Sequence, residues 1–131
     1  MITEIFKQSI TVPASAIDVR GHVNNLIYLQ WCLDAAEAHW ISRTPETIRQ
    51  KYVWYVINHN ITYRASAFEG EELEIKTWVE INKGVRSERH YKIVRLLDQK
   101  TLVIGQTVWC LLNENTLRPT KIPDEISNLF I

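Results

Sequence analysis

The sequence predicts an α+β fold in which an antiparallel sheet wraps around one long central helix. Two observations carry this expectation. First, from Leu26 onward the apolar residues Ile27, Tyr28, Trp31, Cys32, Ala35, Ala36, His39 and Trp40 recur at spacings of three and four, the period of a helix. Second, nearly everything after Tyr52 reads as strands rich in β-branched and aromatic residues, separated by short turn signals. A single apolar helix followed by an antiparallel meander must bury that helix against the sheet.

Taken in order, Ile5 to Val12 forms a first strand closed by Pro13, and Ala14 to Asn25 is a connection. Asn24 or Asn25 supplies the N-cap of the long helix, and Ser42 to Pro45 ends it. At 1.5 Å per residue that helix is roughly 25 Å long, and its polar face is thin, so it is expected to be buried. Thr44-Pro45-Glu46 reads as an N-cap, a proline at the first helical position and an acid in the first turn of a short helix reaching Gln50. Tyr52 to Arg64 is the next strand. Leu73, Ile75, Thr77, Val79 and Ile81 then alternate with Glu74, Lys76, Trp78 and Glu80, a strand with two unlike faces. Asn82-Lys83-Gly84 turns into a strand over Val85 to Leu97, and Asp98-Gln99-Lys100 into one over Thr101 to Leu112. The tail is broken by Pro119 and Pro123, with a final helical turn from Asp124. No repeat or internal linker interrupts the pattern, so residues 1–131 are expected to form one domain.

Composition narrows the class of partner. Fifteen basic residues balance fifteen acidic ones across the 131 residues, which argues against nucleic acid or a polybasic membrane surface. No apolar run approaches the roughly 20 residues of a membrane span, and the N-terminus lacks the apolar stretch of a signal peptide. A cytoplasmic protein is the resulting expectation. Cys32 and Cys110 lie in apolar stretches outside any CxxC pair, which fits two buried thiols in a reducing compartment and no zinc site. The four histidines are scattered, with no HExxH, and neither a GxSxG nucleophile elbow nor a glycine-rich phosphate loop is present. No metal and no organic cofactor are expected.

The chemistry is concentrated just before the long helix, where Asp18, Gly21, His22, Val23, Asn24 and Asn25 fall within eight residues. A helix N-terminus presents unpaired N–H groups and the positive end of the helix dipole, which suit an oxyanion. Gly21 permits close approach or a positive φ. A carboxylate beside such a hole can attack a thioester carbonyl or activate water, and His22 can orient a group or polarise the carbonyl. The same residues also have plain structural uses: an aspartate ahead of a helix commonly closes a turn, and asparagines commonly cap.

The run Asp18-x-x-Gly21-His22-Val23-Asn24-Asn25-x-x-Tyr28-x-x-Trp31 resembles the signature of the hotdog-fold thioesterases. It is especially similar to that of the acyl-ACP thioesterases and of the acyl-CoA thioesterases related to 4-hydroxybenzoyl-CoA thioesterase. Tyr63-Arg64-Ala65-Ser66-Ala67 followed by Gly70-Glu71 resembles a second, looser motif of that family. The resemblance implies hydrolysis of an acyl-CoA or acyl-ACP thioester, with Asp18 as nucleophile or general base. It gives catalytic roles to His22, Asn24 and Asn25, and carbonyl-polarising backbone to Gly21 and Val23. Two positions depart from the acyl-ACP pattern: Arg20 stands where that group has asparagine, and Ser66-Ala67 where it has a Glu-Cys pair. If another acid substitutes, Glu69 and Glu37 are the candidates. A homodimer or homotetramer with sites at the subunit boundary is also implied.

Substrate contacts are assigned more loosely to Tyr28, Trp31, Arg64, Arg86 and Arg89. The strand after Gly84 is basic, with Arg86, Glu88, His90 and Lys92 on one face and Arg89 on the other. It is either a solvated sheet face or a docking strip for coenzyme A phosphates or an acidic carrier protein. Some of the five tryptophans are expected to line an acyl channel beside the helix. Two other readings stay open: a hotdog hydratase/dehydratase, and a non-catalytic acyl-thioester-binding module.

Overall fold

The computed structural model describes residues 3–131. Five strands form one antiparallel sheet: β1 (Phe6–Thr11), β2 (Tyr52–Tyr63), β3 (Glu72–Lys83), β4 (Arg86–Arg95) and β5 (Lys100–Asn113). The long helix α1 (Asn25–Arg43) packs across β3 and β1, and two single-turn helices follow, α2 (Glu46–Arg49) and α3 (Asp124–Ser127). Among the described residues no helix is long and apolar enough to cross a membrane.

The sheet order is β1-β3-β4-β5-β2. Only β3, β4 and β5 form the expected meander. β2 does not pair with β3, because residues 64–71 are too long for a hairpin turn and instead cross the end of the sheet, carrying the chain past two strands. β2 and β1 therefore become the two edges.

Alternation along β3 works as the sequence predicts over its first half. Leu73, Ile75, Thr77 and Val79 turn inward and are buried. A register shift between Val79 and Ile81 then breaks the period, and Ile81 is left 50% exposed. The inner face of the sheet and Tyr28, Cys32, Ala35 and Ala36 of α1 make the main core. A second cluster, Val79, Leu111, Ile122, Ile126 and Phe130, closes the far end, where Trp40 and Trp54 pack against it. Both cysteines are buried and free, and burial pushes the Cys32 thiol up to about 12.

Asn24 is the N-cap of α1, its side chain accepting from Leu26 N–H at 2.9 Å, and Asn25 is the first helical residue. Thr44 does a different job from the one expected. It caps the C-terminus of α1, its N–H and hydroxyl both donating to the Trp40 carbonyl, so Pro45 rather than Thr44 precedes α2. The last carbonyls of α1 were the stronger demand on its single side chain.

His39 sits fully buried on α1, stacked on Phe6 and edge-on to Phe130. Its Nδ1 accepts from Arg89 Nη1 at 2.9 Å, and its Nε2 therefore carries the ring proton, donated to Glu4 Oε1 at 2.6 Å. A second proton would have to displace the arginine. Burial and the Arg89 charge accordingly push His39 down to about 4. The unfolded chain takes up a proton on this ring as pH falls below its ordinary value near 6.5, while the folded chain waits until about 4. Stability is thus full above that window and is lost as pH falls through it. Urea unfolding should show a loss of about 2–3 kcal/mol between pH 7 and pH 4 that His39→Gln removes.

Candidate active site

The Asp18 segment folds as a closed loop against the N-terminus of α1. An isolated bridge pairs Ile17 with Val23, and Asp18 N–H donates to the His22 carbonyl at 3.0 Å. Between them the chain turns, Gly21 N–H donating to the Asp18 carbonyl at 3.1 Å, with Gly21 at φ +85°. A side chain here would be strained, so glycine at this position is a conformational requirement. Within the loop Asp18 Oδ1 accepts from Arg20 N–H at 2.9 Å and lies 3.9 Å from His22 Nδ1. Both side chains remain partly open, 26% and 34% exposed respectively. They are thus brought together and accessible, as a catalytic pair requires.

One residue, Ala67, clamps this loop to the helix. Its carbonyl accepts from Val23 N–H at 3.0 Å, and its N–H donates to the Tyr28 hydroxyl at 2.8 Å. The remaining helix-start donors divide into used and unused. Asn24 N–H goes to the Ala16 carbonyl, and Leu26 and Ile27 N–H go to the Asn24 side chain and carbonyl. Among the described residues, His22 N–H and Asn25 N–H have no protein acceptor. These two N–H groups are free, whereas those of Gly21 and Val23, expected to polarise a carbonyl, are committed to the Asp18 and Ala67 carbonyls. The side chain of Asn24 is likewise spent on capping, which leaves Asn25, exposed at the first helical position, as the asparagine available to a ligand.

The residues expected to touch substrate are distributed more widely than their order suggests. Tyr28 is 1% exposed and serves the Ala67 clamp, with Trp31 packed edge-on against it, so both support the site from the core side. Arg64 is exposed at the end of β2, in the same connection as Ala67. Arg86 lies at the other end of the sheet, opposite Cys110, whereas the Arg64 N–H reaches the Leu102 carbonyl. Eight residues of strand separate those positions, roughly 27 Å. The outer face of β4 is not a basic strip. Glu88 pairs with His90 at 2.7 Å, Glu74 with Lys76 on the neighbouring strand, and Trp78 stacks on His90. Arg89 points inward and is 6% exposed, so it cannot dock a carrier on the outer face.

The two alternative acids also separate. Glu37 lies on α1 at the edge of a partly open pocket near Trp40, and Glu69 is exposed in the connection after β2. Neither makes a hydrogen bond or ion pair with Asp18 or His22. Phe68, edge-on to the His22 ring at 6.4 Å, forms the near wall instead.

A family model described as the thioesterase-like superfamily matches residues 12–130. The chain belongs to that superfamily. An acyl-[acyl-carrier-protein] hydrolase of Cuphea viscosissima is 30% identical over 84 residues, covering 64% of this chain and 20% of that protein. A palmitoyl-acyl carrier protein thioesterase of Cuphea hookeriana is 29% identical over 86 residues, covering 66% and 21%. The matched region is therefore about a fifth of the length of these curated relatives. Among solved structures, a 1,4-dihydroxy-2-naphthoyl-CoA thioesterase from Synechocystis superposes with a TM-score of 0.84 at 18% identity, covering 96% of this chain and 95% of that one. A 12:0-ACP thioesterase from Umbellularia californica gives 0.85 at 17% identity, over 97% of this chain and 51% of that one. These superpositions establish the hotdog fold, with its antiparallel sheet around a central helix.

The Ala67 clamp is testable through its buried half. Tyr28→Phe leaves the Ala67 N–H without an acceptor and should cost about 1–3 kcal/mol in urea unfolding. It should also speed amide exchange at Val23 and Ala67 relative to the centre of the sheet.

Proposed function

We propose that this chain hydrolyses an acyl-CoA or acyl-ACP thioester to the free acid and the thiol. The observation that carries this reading is the Asp18–His22 pair, 3.9 Å apart and open to a ligand, beside two free N–H groups at the start of α1. Membership of the thioesterase-like superfamily supports the reaction class.

The chemistry follows from that arrangement. A thioester carbonyl whose oxygen accepts from His22 and Asn25 N–H is polarised by donors that need no rearrangement as charge develops. Asp18 then acts on the carbonyl carbon in one of two ways. It removes a proton from a water that attacks, or it attacks directly to form a mixed anhydride that water opens. In either route the C–S bond breaks, the thiolate takes up a proton, and one water is consumed. His22 orients the water or the carbonyl. Asn24 holds the helix start in place through its cap.

Open walls around this site support a second copy of the chain as the remaining boundary. Leu26, Tyr63 and Phe68 are exposed apolar residues near the loop, and β2 presents an unpaired edge bearing Tyr55 and Ile57, also exposed. A homodimer or homotetramer joined there would cover them. Arg64, at the end of that strand, is positioned to meet a phosphate of coenzyme A or of a carrier prosthetic group.

The test is thiol release across short, long and aromatic acyl-CoAs and acyl-ACPs. Wild-type protein should turn over at least one class. Asp18→Asn should lower kcat/KM at least 100-fold on the best substrate, within the range of a lost general base. Retention of wild-type hydrolysis by that variant would remove Asp18 from the mechanism. Enoyl-thioester hydration without thiol release would replace hydrolysis altogether.

A further inference from the structure

The inner face of the sheet beneath the C-terminal half of α1 is unusually polar for a core. Thr77, Ser87, Arg89 and Thr107 are all buried there with His39. Of these, Ser87 and Arg89 line a pocket of about 350 Å³, walled on its apolar sides by Trp40, Trp54, Val79, Trp109, Ile126 and Phe130. The cavity begins at Leu33 on the helix, so it lies roughly 12 to 22 Å along the axis from the Asp18 loop, at 1.5 Å per residue. It is a separate space from the candidate active site.

Arg89 is the feature that gives this cavity a chemistry. It is 6% exposed, and among the described residues no carboxylate lies within ion-pairing distance of it. Its Nη1 donates to His39 Nδ1 at 2.9 Å and to Thr77 Oγ1 at 3.1 Å. Both acceptors are neutral, and among the described residues nothing accepts from Nε or Nη2. Glu4 answers part of the charge through His39, but Glu4 is itself engaged by Arg43. A buried guanidinium with two donor positions unspent and no adjacent counter-ion is costly, and an anion beside it relieves that cost. Asn82 Oδ1 on the same wall is buried without a hydrogen-bond partner, whereas Trp109 Nε1 faces the Tyr91 hydroxyl. Glu37, the one acid on the lining, is solvent-exposed, which keeps its charge toward the mouth.

We infer that this cavity binds a medium-chain monocarboxylate, its carboxylate held by the free edge of Arg89 and its chain lying among the tryptophans. The donor set matches: the free edge of Arg89 offers two parallel N–H groups for a bidentate pair. The volume matches as well. The pocket, about 350 Å³ and partly open at its mouth, has room for an alkyl chain, and decanoate serves as the probe. Binding needs neither Asp18 nor thioester chemistry, so it stands or falls apart from the hydrolytic reading.

Three tryptophans on the lining give a direct readout. Decanoate, kept below its micelle concentration at neutral pH, should change the intrinsic fluorescence of the wild-type protein saturably, and decan-1-ol should bind at least tenfold more weakly. Arg89→Gln should erase that preference. Because removing Arg89 also frees His39, a second variant guards against loss of fold: Ala36→Phe, filling the cavity from α1, should abolish binding with an unchanged far-UV spectrum. Asp18→Asn should bind decanoate like wild type. Equal affinity for acid and alcohol, no saturable change in the wild type, or binding that survives Ala36→Phe would each overturn the assignment.

Discussion

The seating of the helix start on Ala67 is the constraint from which the rest of the site follows. One backbone unit receives Val23 N–H and gives its own N–H to Tyr28, so loop, helix and the connection after β2 are held by a single residue. Tyr28 can serve only because it is buried on the inner side of α1, and it is buried only because the sheet closes over that side. Buried backbone groups must find partners. Here that requirement sets the position of Asp18 and His22, which touch no core residue through hydrogen bonds of their own. The placement of this half-buried pair is thus supplied from the interior.

Much of this was legible beforehand, and for identifiable reasons. A helical period that runs without interruption from Ile27 to Trp40 leaves little room for another structure. The β3 alternation named its inward residues as far as Val79. What alternation does not contain is the identity of a strand's neighbour, so the position of β2 beside β5 could not be read from it. Nor does it anticipate the register shift that exposes Ile81. At the site, the structure places Asp18 and His22 within 3.9 Å of each other in the loop that the spacing singled out. Spacing could not show which N–H groups were already committed, because their acceptors, Ala16 and Ala67, come from outside the motif. The inward turn of Arg89 did have a signal: it alternates in phase with Tyr91 and Ile93, both fully buried. A basic residue in an apolar phase is an indication of an interior polar site.

The two ends of α1 carry different chemistry. Its N-terminal end meets solvent with free donors and a carboxylate, an arrangement suited to reaction at a carbonyl. Its C-terminal half covers a polar-floored cavity organised by Arg89, His39 and Glu4. The tail from Pro119 onward reaches this second region: Ile122 N–H bonds the Gly84 carbonyl, and Phe130 closes over His39 and Arg89. One helix therefore joins a partly open loop at one end to a separate, partly open pocket at the other, without either depending on the other's residues.

The most direct measurement is the fate of water oxygen during turnover. In heavy-oxygen water, the protein acting on its preferred acyl thioester should release the thiol and an acid whose new carboxyl oxygen carries the label over repeated turnovers. Both products should fall together in Asp18→Asn. Undiminished thiol and labelled acid from that variant, or consumption of the thioester with no thiol released, would contradict hydrolysis centred on Asp18.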